Sequence, residues 1–402
     1  MNESAASTSA TVSAQQSSGG SVPSEAQASS EVNAVQSRDG KVTVAVLFGG
    51  QSTEHSVSCI SAGAVMSHLD PDRYQVVPVG ITQEGAWIPQ NPNISELSEQ
   101  LKAQGSTMPR VSDSGEHVQL VFGGQPGHMR YTTGDNAGEP FADVDVIFPV
   151  LHGLNGEDGT IQGLFDLVGV PYVGNGVLAS AAGMDKVFTK KLAREAGIPV
   201  TYELVISEER ELTEQEQQEL GLPVFVKPAR GGSSIGISKV DAWEELPVAL
   251  KEAFNNDDKV VIESMIYGAE VECGVLQQPS GELVASVPAL LQGTGDGYEG
   301  FYGFDAKYVD KTVSAAIPAP IDPAMTTQVQ DWSVATFEAL GCEGLARVDF
   351  FVTDKGPVLN EINTMPGFTP ISMYPKMFAA SNVAYGELLS TLIERALEHP
   401  AH

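Results

Sequence analysis

The 402-residue sequence predicts an α/β protein that opens with a doubly wound parallel sheet and continues into two α+β units. Three observations lead to this fold class. Near-continuous apolar runs alternate with helical patterns over residues 41–175, which is typical of a parallel sheet covered by helices. A basic helix, a strand and a glycine-rich loop follow over residues 176–262. The last unit, residues 263–402, ends in two long strands joined by a short turn.

Residues 1–40 precede the first predicted strand. They are rich in Ser, Ala and Gln and contain no aromatic residue. Such a segment cannot bury enough apolar surface to offset the entropy that is lost on ordering. We therefore predict that residues 1–40 are disordered.

The N-terminal unit begins with the run KVTVAVLF, which predicts a buried strand that ends at Gly49. A helical pattern follows over residues 54–69, and two further apolar runs at 74–81 and 144–150 predict neighbouring strands. The polar stretch 85–142, which contains Gly and Pro, is interpreted as a surface insertion.

The central unit begins with the helical pattern DKVFTKKLAREAG, which ends at Gly197. Glycine followed by Pro199 is typical of a helix C-terminus. The run VFVKP then predicts a strand that leads into the glycine loop ARGGSSIG, after which ISKV resumes as a strand. We expect the third unit to start near Val260, with the strand VVIES.

Composition restricts the possible partners. The formal net charge of −30 repels nucleic acid and anionic lipid, so neither is an expected partner. Cys59, Cys273 and Cys342 are odd in number and widely spaced, which indicates buried, reduced thiols in a cytosolic protein. No apolar run approaches the ~18 residues of a membrane span, so we expect a cytoplasmic protein without membrane contact.

The most informative chemical pattern is the strand pair GLARVDFFV and PVLNEIN. Side chains alternate along a strand, so Arg347 and Asp349 share one face and Glu361 and Asn363 share another. If the hairpin is centred on Lys355 without a bulge, Asp349 faces Glu361 and Arg347 faces Asn363. Opposed carboxylates repel unless a cation lies between them, and two carboxylates with an amide oxygen suit Mg²⁺. A solvated face with an ordinary Arg–Asp pair explains the same pattern equally well.

A second pattern is Lys227 followed by a loop with Arg230 at its start and the hydroxyls of Ser233 and Ser234. Glycines let backbone N–H groups approach phosphate oxygens, and a nearby Lys adds charge. The loop is not a Walker motif, since no Lys-Ser/Thr pair follows its last glycine. A plain hairpin turn is the alternative, but basic residues in so acidic a chain favour phosphate.

Two further motifs follow predicted parallel strands. GGQSTEHSVS brings Glu54 and His55 after the first strand, and HGLNGEDG brings His152 and Glu157 after the third. Ligands bind at the carboxyl ends of such strands, so these side chains are candidate substrate contacts. Helix capping explains the two glutamates equally well.

An aromatic segment, EGFYGFDAKYVDK, carries Lys307 and Tyr308. It predicts an ordered loop or lid over residues 299–311. Packing of aromatic side chains beneath a loop is the simpler interpretation of this segment taken alone.

In this order, seven segments resemble the motifs of the D-alanine–D-alanine ligases of the ATP-grasp superfamily: GGQSTEHSVS, LHGLNGEDGTIQG, GMDKVFTK, FVKPARGGSSIG, GFYGFDAKY, ARVDFF and LNEINTMPGFTPIS. The resemblance extends from Val42 to about Leu392. It implies an N-terminal substrate domain (41–175) and two α+β domains (176–262 and 263–402) that clasp ATP. It also implies a homodimer.

The resemblance further implies ligation of two D-alanine molecules through a D-alanyl phosphate, with release of ADP and phosphate, for peptidoglycan precursors. Glu54 would hold the ammonium of the first D-alanine with His152 beside it, and would share a hydrogen-bonded triad with Ser233 and Tyr308. The remaining catalytic and substrate-binding roles would fall to Arg347 and the backbone around Gly367 at the tetrahedral intermediate, Ser372 at the second substrate's carboxylate, and Lys307.

ATP and its metal ions would have their own residues. The nucleotide would be bound by Lys186, Lys227, Ser233, Ser234 and Lys307 at the phosphates, Glu263, Ser264, Met265 and Ile266 at the adenine, and Glu270 at the ribose. Two Mg²⁺ or Mn²⁺ ions would be bound by Asp349, Glu361 and Asn363.

Three alternatives remain at this point. The first is a ligase that uses D-lactate or D-serine, but in this family Tyr308 marks the dipeptide-forming type. The second is another ATP-grasp enzyme, such as a carboxylase or a different amino-acid ligase. The absence of a biotin-type attachment region and the segment GFYGFDAKY argue against it. The third is a nucleotide-binding regulatory protein, which would not need to keep Arg347 together with the metal ligands.

Overall fold

The computed structural model describes residues 40–103, 107–292 and 314–398. The predicted disorder of residues 1–39 and the lid with Lys307 and Tyr308 lie outside the described residues. Among the described residues, none of the helices is both long and apolar enough to cross a membrane.

The helices and strands alternate along most of the chain. The strands are β1 (Val42–Gly49), β2 (Tyr74–Ile81), β3 (Trp87–Pro89), β4 (Val118–Leu120), β5 (His128–Tyr131), β6 (Pro140–Asp143), β7 (Val146–Val150), β8 (Glu203–Ile206), β9 (Val224–Pro228), β10 (Ser238–Val240), β11 (Val260–Ser264), β12 (Ala269–Gln277), β13 (Leu283–Ala285), β14 (Ala289–Gln292), β15 (Ser314–Ala316), β16 (Leu345–Thr353) and β17 (Gly356–Asn363). The helices are α1 (His55–His68), α2 (Ile94–Gln100), α3 (Thr160–Val168), α4 (Val177–Met184), α5 (Lys186–Glu195), α6 (Glu214–Leu220), α7 (Leu246–Phe254), α8 (Pro323–Ala339), α9 (Met373–Ala380) and α10 (Tyr385–Glu398), with a short 3₁₀ helix at Trp243–Glu245.

The first sheet has the strand order β3-β2-β1-β7, in which β1 runs parallel to both β2 and β7. Its two faces are both covered, as expected for a doubly wound sheet. Val46 and Phe48 of β1 pack with α1 and with the leucines of α10, near the end of the chain. Ala45 and Leu47, on the opposite face, pack with Phe165 of α3. The predicted parallel sheet is therefore confirmed.

The stretch 85–142 is part of this unit's core and is not a surface insertion. It supplies β3, α2 and the antiparallel sheet β4-β5-β6. Met129 is fully buried, and Val118, Leu120 and Phe141 pack with it against the same core as Leu47. The polar loops within the stretch conceal these short strands in the sequence.

The central unit contains an antiparallel sheet in the order β10-β9-β11-β8, with α7 packed against it. Strand β11 pairs with β9 on one side and with β8 on the other. The run VVIES was expected to open the third unit, but it lies inside the central sheet. The boundary of that sheet therefore falls after Ser264.

The third unit is a six-stranded sheet in the order β15-β14-β12-β16-β17, with β13 paired to β12. Helices α4, α5 and α8 pack on one face, around Ala193, Phe337 and Phe350. Tyr374 and Phe378 of α9 pack on the other face with Leu276, where they join the core beneath β1. The three cysteines are buried and free, as predicted.

Candidate active site

A cavity of about 660 Å³ lies where the ends of β1 and β7, the glycine loop after β9 and the β16–β17 hairpin meet. Eleven of the residues that the sequence singles out line it: Glu54, His152, Glu157, Lys186, Ser233, Ser234, Arg347, Glu361, Asn363, Gly367 and Ser372. Eight other candidates among the described residues are not in its lining: His55, Lys227, Glu263, Ser264, Met265, Ile266, Glu270 and Asp349.

The β16–β17 hairpin forms one wall of the cavity. Asp349 is paired with Glu361 and Arg347 with Asn363, as the sequence predicts. The route to this register differs from the prediction, because Thr353 pairs with Gly356 and the turn has only two residues. A bulge between the pairs Asp349–Glu361 and Phe350–Leu359 adds one residue and restores the predicted register.

Arg347 is held by carboxylates on two strands. Its Nε and Nη2 donate to the two oxygens of Asp349 at 2.8 and 2.7 Å, and its Nε lies 3.4 Å from Glu272 Oε2. Burial alone would lower the pKa of Arg347, but the attraction of Asp349 and Glu272 outweighs it and raises the pKa well above its ordinary value. Asn363 Nδ2 donates to Asp349 Oδ2 at 3.0 Å. The guanidinium therefore stays charged at every physiological pH.

Glu272 is a site residue that the sequence analysis missed. It pairs with Asp349 across β12 and β16, so Glu272, Asp349 and Glu361 form a row over three adjacent strands. We call Glu272, Arg347, Asp349 and Glu361 the hairpin cluster. The available signal was the presence of two glutamates on one face of an otherwise buried strand, at positions 270 and 272.

The glycine loop spans the space between the central sheet and the end of β1. Ser233 and Ser234 both have positive φ, at 53° and 58°, which non-glycine residues seldom adopt. In this conformation Ser233 Oγ donates to Glu54 Oε1 at 2.5 Å. Glu54 is also the residue that precedes α1, and its backbone N–H donates to Ser52 Oγ at 3.1 Å. The expected contact between Glu54 and Ser233 is thus present.

Lys186 joins the glycine loop to the hairpin. It is the first residue of α5, whose N-cap is Asp185. Its Nζ donates to Gly231 O at 3.0 Å and lies 3.9 Å from Glu361 Oε2. A cation is therefore positioned between the glycine loop and the carboxylate of Glu361.

His152 and Glu157 lie at the end of β7, where the sequence analysis expected substrate contacts. His152 Nδ1 lies 3.2 Å from Met365 O, so Nδ1 carries the proton and Nε2, 3.2 Å from Ser61 Oγ, accepts. Burial lowers the pKa of His152, against the attraction of Glu54. Burial and the repulsion of Glu54 raise the pKa of Glu157 to about 8. Both ring nitrogens of His152 thus contact protein atoms.

The loop that follows β17 carries Gly367 and Ser372. Ser372 is the N-cap of α9, and its Oγ accepts the backbone N–H of Thr369 at 3.0 Å. Helix N-termini favour carboxylates, because their N–H groups point outward and carry a partial positive charge. The position of Ser372 at the cavity is therefore compatible with an anionic group.

Lys227 and Glu263 are buried and form ion pairs with two residues that the sequence analysis missed. Lys190 pairs with Glu263 and lies 3.5 Å from Glu203 Oε2, while Lys227 Nζ lies 2.6 Å from Glu263 Oε2. Burial would raise the pKa of Glu263, but the two lysines lower it to about 2. We call Lys190, Lys227, Glu203 and Glu263 the buried cluster. No sequence spacing links residues that lie so far apart along the chain.

The remaining nucleotide candidates follow from the end of β11. Ser264 Oγ donates to Leu220 O at 2.7 Å, and Met265 N donates to Pro223 O at 3.0 Å. Ile266 comes next in the chain, and Glu270 lies on β12. This segment therefore connects the central sheet to the third unit beside the buried cluster.

Comparison with known proteins gives a consistent result. Models of the D-Ala–D-Ala ligase N-terminus and C-terminus match residues 43–175 and 192–394. The D-alanine–D-alanine ligase of Corynebacterium jeikeium is 66% identical over 370 residues, which is 90% of this chain and 98% of that protein.

Two solved structures resemble this chain over most of its length. The VanG D-Ala:D-Ser ligase of Enterococcus faecalis has a TM-score of 0.74 and 35% identity, and covers 89% of this chain and 99% of its own. The D-alanine–D-alanine ligase of Coxiella burnetii has a TM-score of 0.74 and 33% identity, with 90% and 95% coverage. The predicted three-unit α/β fold of the ATP-grasp type agrees with these structures. The chain belongs to the D-alanine–D-alanine ligase family.

Proposed function

We propose that this chain joins two D-alanine molecules into D-alanyl-D-alanine, with conversion of ATP to ADP and phosphate, to supply peptidoglycan precursors. The observation that carries the proposal is the cavity of about 660 Å³, which is lined by Glu54, Arg347 and Ser372 from three separate parts of the chain. The 66% identity to a D-alanine–D-alanine ligase supports the choice of substrate.

A carboxylate is a poor electrophile, so the first D-alanine must be activated as an acyl phosphate before the second amine attacks. In this proposal Glu54 holds the first ammonium and is itself oriented by Ser233. Lys186 and the glycine loop bind the phosphates. Arg347 and the backbone at Gly367 stabilise the negative charge that develops on the carbonyl oxygen.

The residues of the hairpin fit a divalent cation. Counting its four side chains, the hairpin cluster has one guanidinium against three carboxylates, a formal charge of −2 beside the cavity. Among the described residues no group of three or more His, Cys, Asp or Glu side chains is arranged as a metal site. Mg²⁺ accepts few protein ligands and completes its shell with phosphate oxygens and water. Asp349, Glu361 and Asn363 would hold Mg²⁺ or Mn²⁺ ions, which would neutralise the triphosphate.

The specificity for the second substrate is assigned from the sequence. Tyr308 and Lys307 lie outside the described residues, and we propose that they close the site from residues 299–311 and exclude water from the acyl phosphate. The likeness to a D-Ala:D-Ser ligase makes D-serine the competing second substrate. Tyr308→Phe should relax selectivity toward D-lactate at acidic pH.

The first experiment is phosphate release from ATP and Mg²⁺, with product identification. The substrates are D-alanine, L-alanine, D-serine and D-alanine with D-lactate. Dipeptide from D-alanine alone supports the proposal. A folded, ATP-binding protein that is silent with every D-amino acid would instead support a regulatory role.

We further propose a cytoplasmic homodimer. Leu167 of α3 and Leu178 of α4 are 77% and 76% exposed, and Leu154 before α3 is 64% exposed. Helices α3 and α4 contact each other, and exposed apolar side chains on neighbouring helices are typical of subunit contacts. Sedimentation of the wild type should give the dimer mass, and Leu167→Glu with Leu178→Glu should give the monomer. A monomeric wild type would contradict this part of the proposal.

A further inference from the structure

Side chains from the N-terminal half of the chain form hydrogen bonds with the backbone that follows β17. Asn175 Nδ2 donates to Thr364 O at 2.7 Å. Glu157 Oε1 accepts the N–H of Met365 at 3.1 Å, and His152 Nδ1 donates to Met365 O at 3.2 Å. Three successive backbone groups are therefore held by three side chains that lie about two hundred residues earlier in the chain.

These side chains are fixed at their other ends. Glu157 Oε2 accepts the N–H of Gly153 at 2.6 Å, so the carboxylate bridges two backbone segments. His152 is tied to Ser61 of α1 through Nε2. His152 and Ser61 are 5% and 0% exposed, so neither can swing away without disturbing the core.

The hydrogen-bonded segment, Thr364 and Met365, leads directly to Gly367 and Ser372. Phe368, between them, is fully buried against Phe148 and Tyr374, which keeps the loop from shifting independently. Glu54 lines the same cavity. The position of the Met365 peptide therefore decides how far the loop stands from Glu54, and reaction between two bound molecules depends strongly on that kind of distance.

We propose that Glu157 is a positioning residue for the second D-alanine. It holds the Met365 peptide and, through it, the Gly367–Ser372 loop at the correct distance from the first substrate. This inference rests on the proposed function. Glu157 lines the cavity and both of its oxygens accept backbone N–H groups, so we assign it a positioning role in place of the substrate contact expected from the sequence.

The chemistry of the bridge makes Glu157→Gln informative. Both oxygens of a carboxyl group can accept an N–H, whether the group is ionised or protonated, whereas an amide must turn its NH₂ toward one of the two N–H donors. The backbone N–H of Gly153 or of Met365 then faces the NH₂ group, so that two hydrogen-bond donors oppose each other. The side chain keeps its size, so packing changes little while the bridge opens. Glu157→Asp keeps the carboxyl group but loses one methylene, and cannot span both partners.

The two half-reactions can be measured separately. Hydroxylamine added with ATP and D-alanine attacks the carbonyl carbon of the D-alanyl phosphate. The bond from that carbon to the phosphate oxygen breaks, phosphate leaves and a hydroxamate forms. Hydroxamate formation reports the first substrate alone, and dipeptide formation reports both.

We expect Glu157→Gln and Glu157→Asp to form hydroxamate within about twofold of the wild-type rate. Dipeptide formation at low D-alanine should fall about tenfold, through a higher KM for the second D-alanine, as expected for a misplaced binding loop. Equal losses in both assays would overturn the proposal in favour of a first-substrate or purely structural role. Unchanged rates in both assays would overturn it as well.

Asp158→Asn is the matched control. Asp158 also accepts two backbone N–H groups, from Asn155 at 2.8 Å and Thr160 at 3.0 Å, but both lie in its own loop. It should leave both assays unchanged. The same selective loss in Asp158→Asn would assign the effect to the loop's fold and contradict the proposal. A wild type that forms neither hydroxamate nor dipeptide from D-alanine would instead refute the proposed function.

Discussion

The buried cluster and the hairpin cluster are both groups of four charged side chains, yet their charges balance differently. The buried cluster has two lysines against two glutamates, a formal charge of zero, and its members are at most 9% exposed. The hairpin cluster has one arginine against three carboxylates and adjoins the cavity. A buried cluster without net charge contributes to the structure of the fold. A cluster with a net charge beside a cavity is suited to binding a ligand of the opposite charge.

The largest expected effect is on turnover in the hairpin cluster. Glu361→Gln should lower kcat at least ~100-fold, because it removes a carboxylate that we propose holds the metal ions at the triphosphate. The fold should be unchanged by circular dichroism. Asp354→Asn makes the same chemical change at the exposed turn of the same hairpin and should keep wild-type activity. Near-normal turnover of Glu361→Gln would remove this carboxylate from the metal site.

The next effect is on stability in the buried cluster. Lys190→Met should lower the free energy of unfolding by about 3 kcal/mol, because Glu203 and Glu263 then share a dry site with only one lysine. Lys191→Met, at the next and exposed position, is the control and should change little. Urea unfolding measures both. A stable Lys190→Met protein would mean that water reaches the cluster.

A smaller effect concerns pH. The pKa of Glu263 is lowered to about 2, below its ordinary value near 4.5. The folded protein therefore gains stability from this group above pH 4.5 and loses it as pH falls toward 2. The slope from this one group is at most about 1.4 kcal/mol per pH unit. Wild type should lose stability faster than Glu263→Gln in urea titrations between pH 4.5 and 2. Parallel curves would contradict the assigned pKa.

The smallest effect is expected at the surface. Asp258 pairs with Arg230, but its side chain is 87% exposed. Water and salt screen such a pair, so Asp258→Asn should change the free energy of unfolding by less than about 0.5 kcal/mol. A larger loss in the same urea assay would show that the burial of an ion pair does not by itself determine how much the pair stabilises this protein.

The periodicity of side chains along the sequence predicted strand positions and the register of the β16–β17 hairpin. Strand β2 lies at the predicted residues, and Asp349 faces Glu361, because side-chain alternation determines a register within a short hairpin. The prediction reached this pair through two compensating errors: the hairpin is centred between Asp354 and Lys355 and not on Lys355, and a bulge lies beside Asp349.

Pairing over long distances could not be predicted. The pattern of VVIES indicates a strand but not its neighbours, so β11 was assigned to the wrong unit. Glu272 and Lys190 were missed for the same reason, because their partners lie far away in the chain. The short strands within residues 85–142 carry too few apolar residues to stand out from their loops.

The packing of α10 has a consequence for synthesis on the ribosome. Phe48 lies beneath Leu388 and Leu392, which emerge about 340 residues later. At translation speeds of roughly 5–20 residues per second, one face of the first sheet stays uncovered for tens of seconds. The nascent N-terminal unit therefore exposes apolar surface, to which chaperones can bind, until α10 has been synthesised and covers that face.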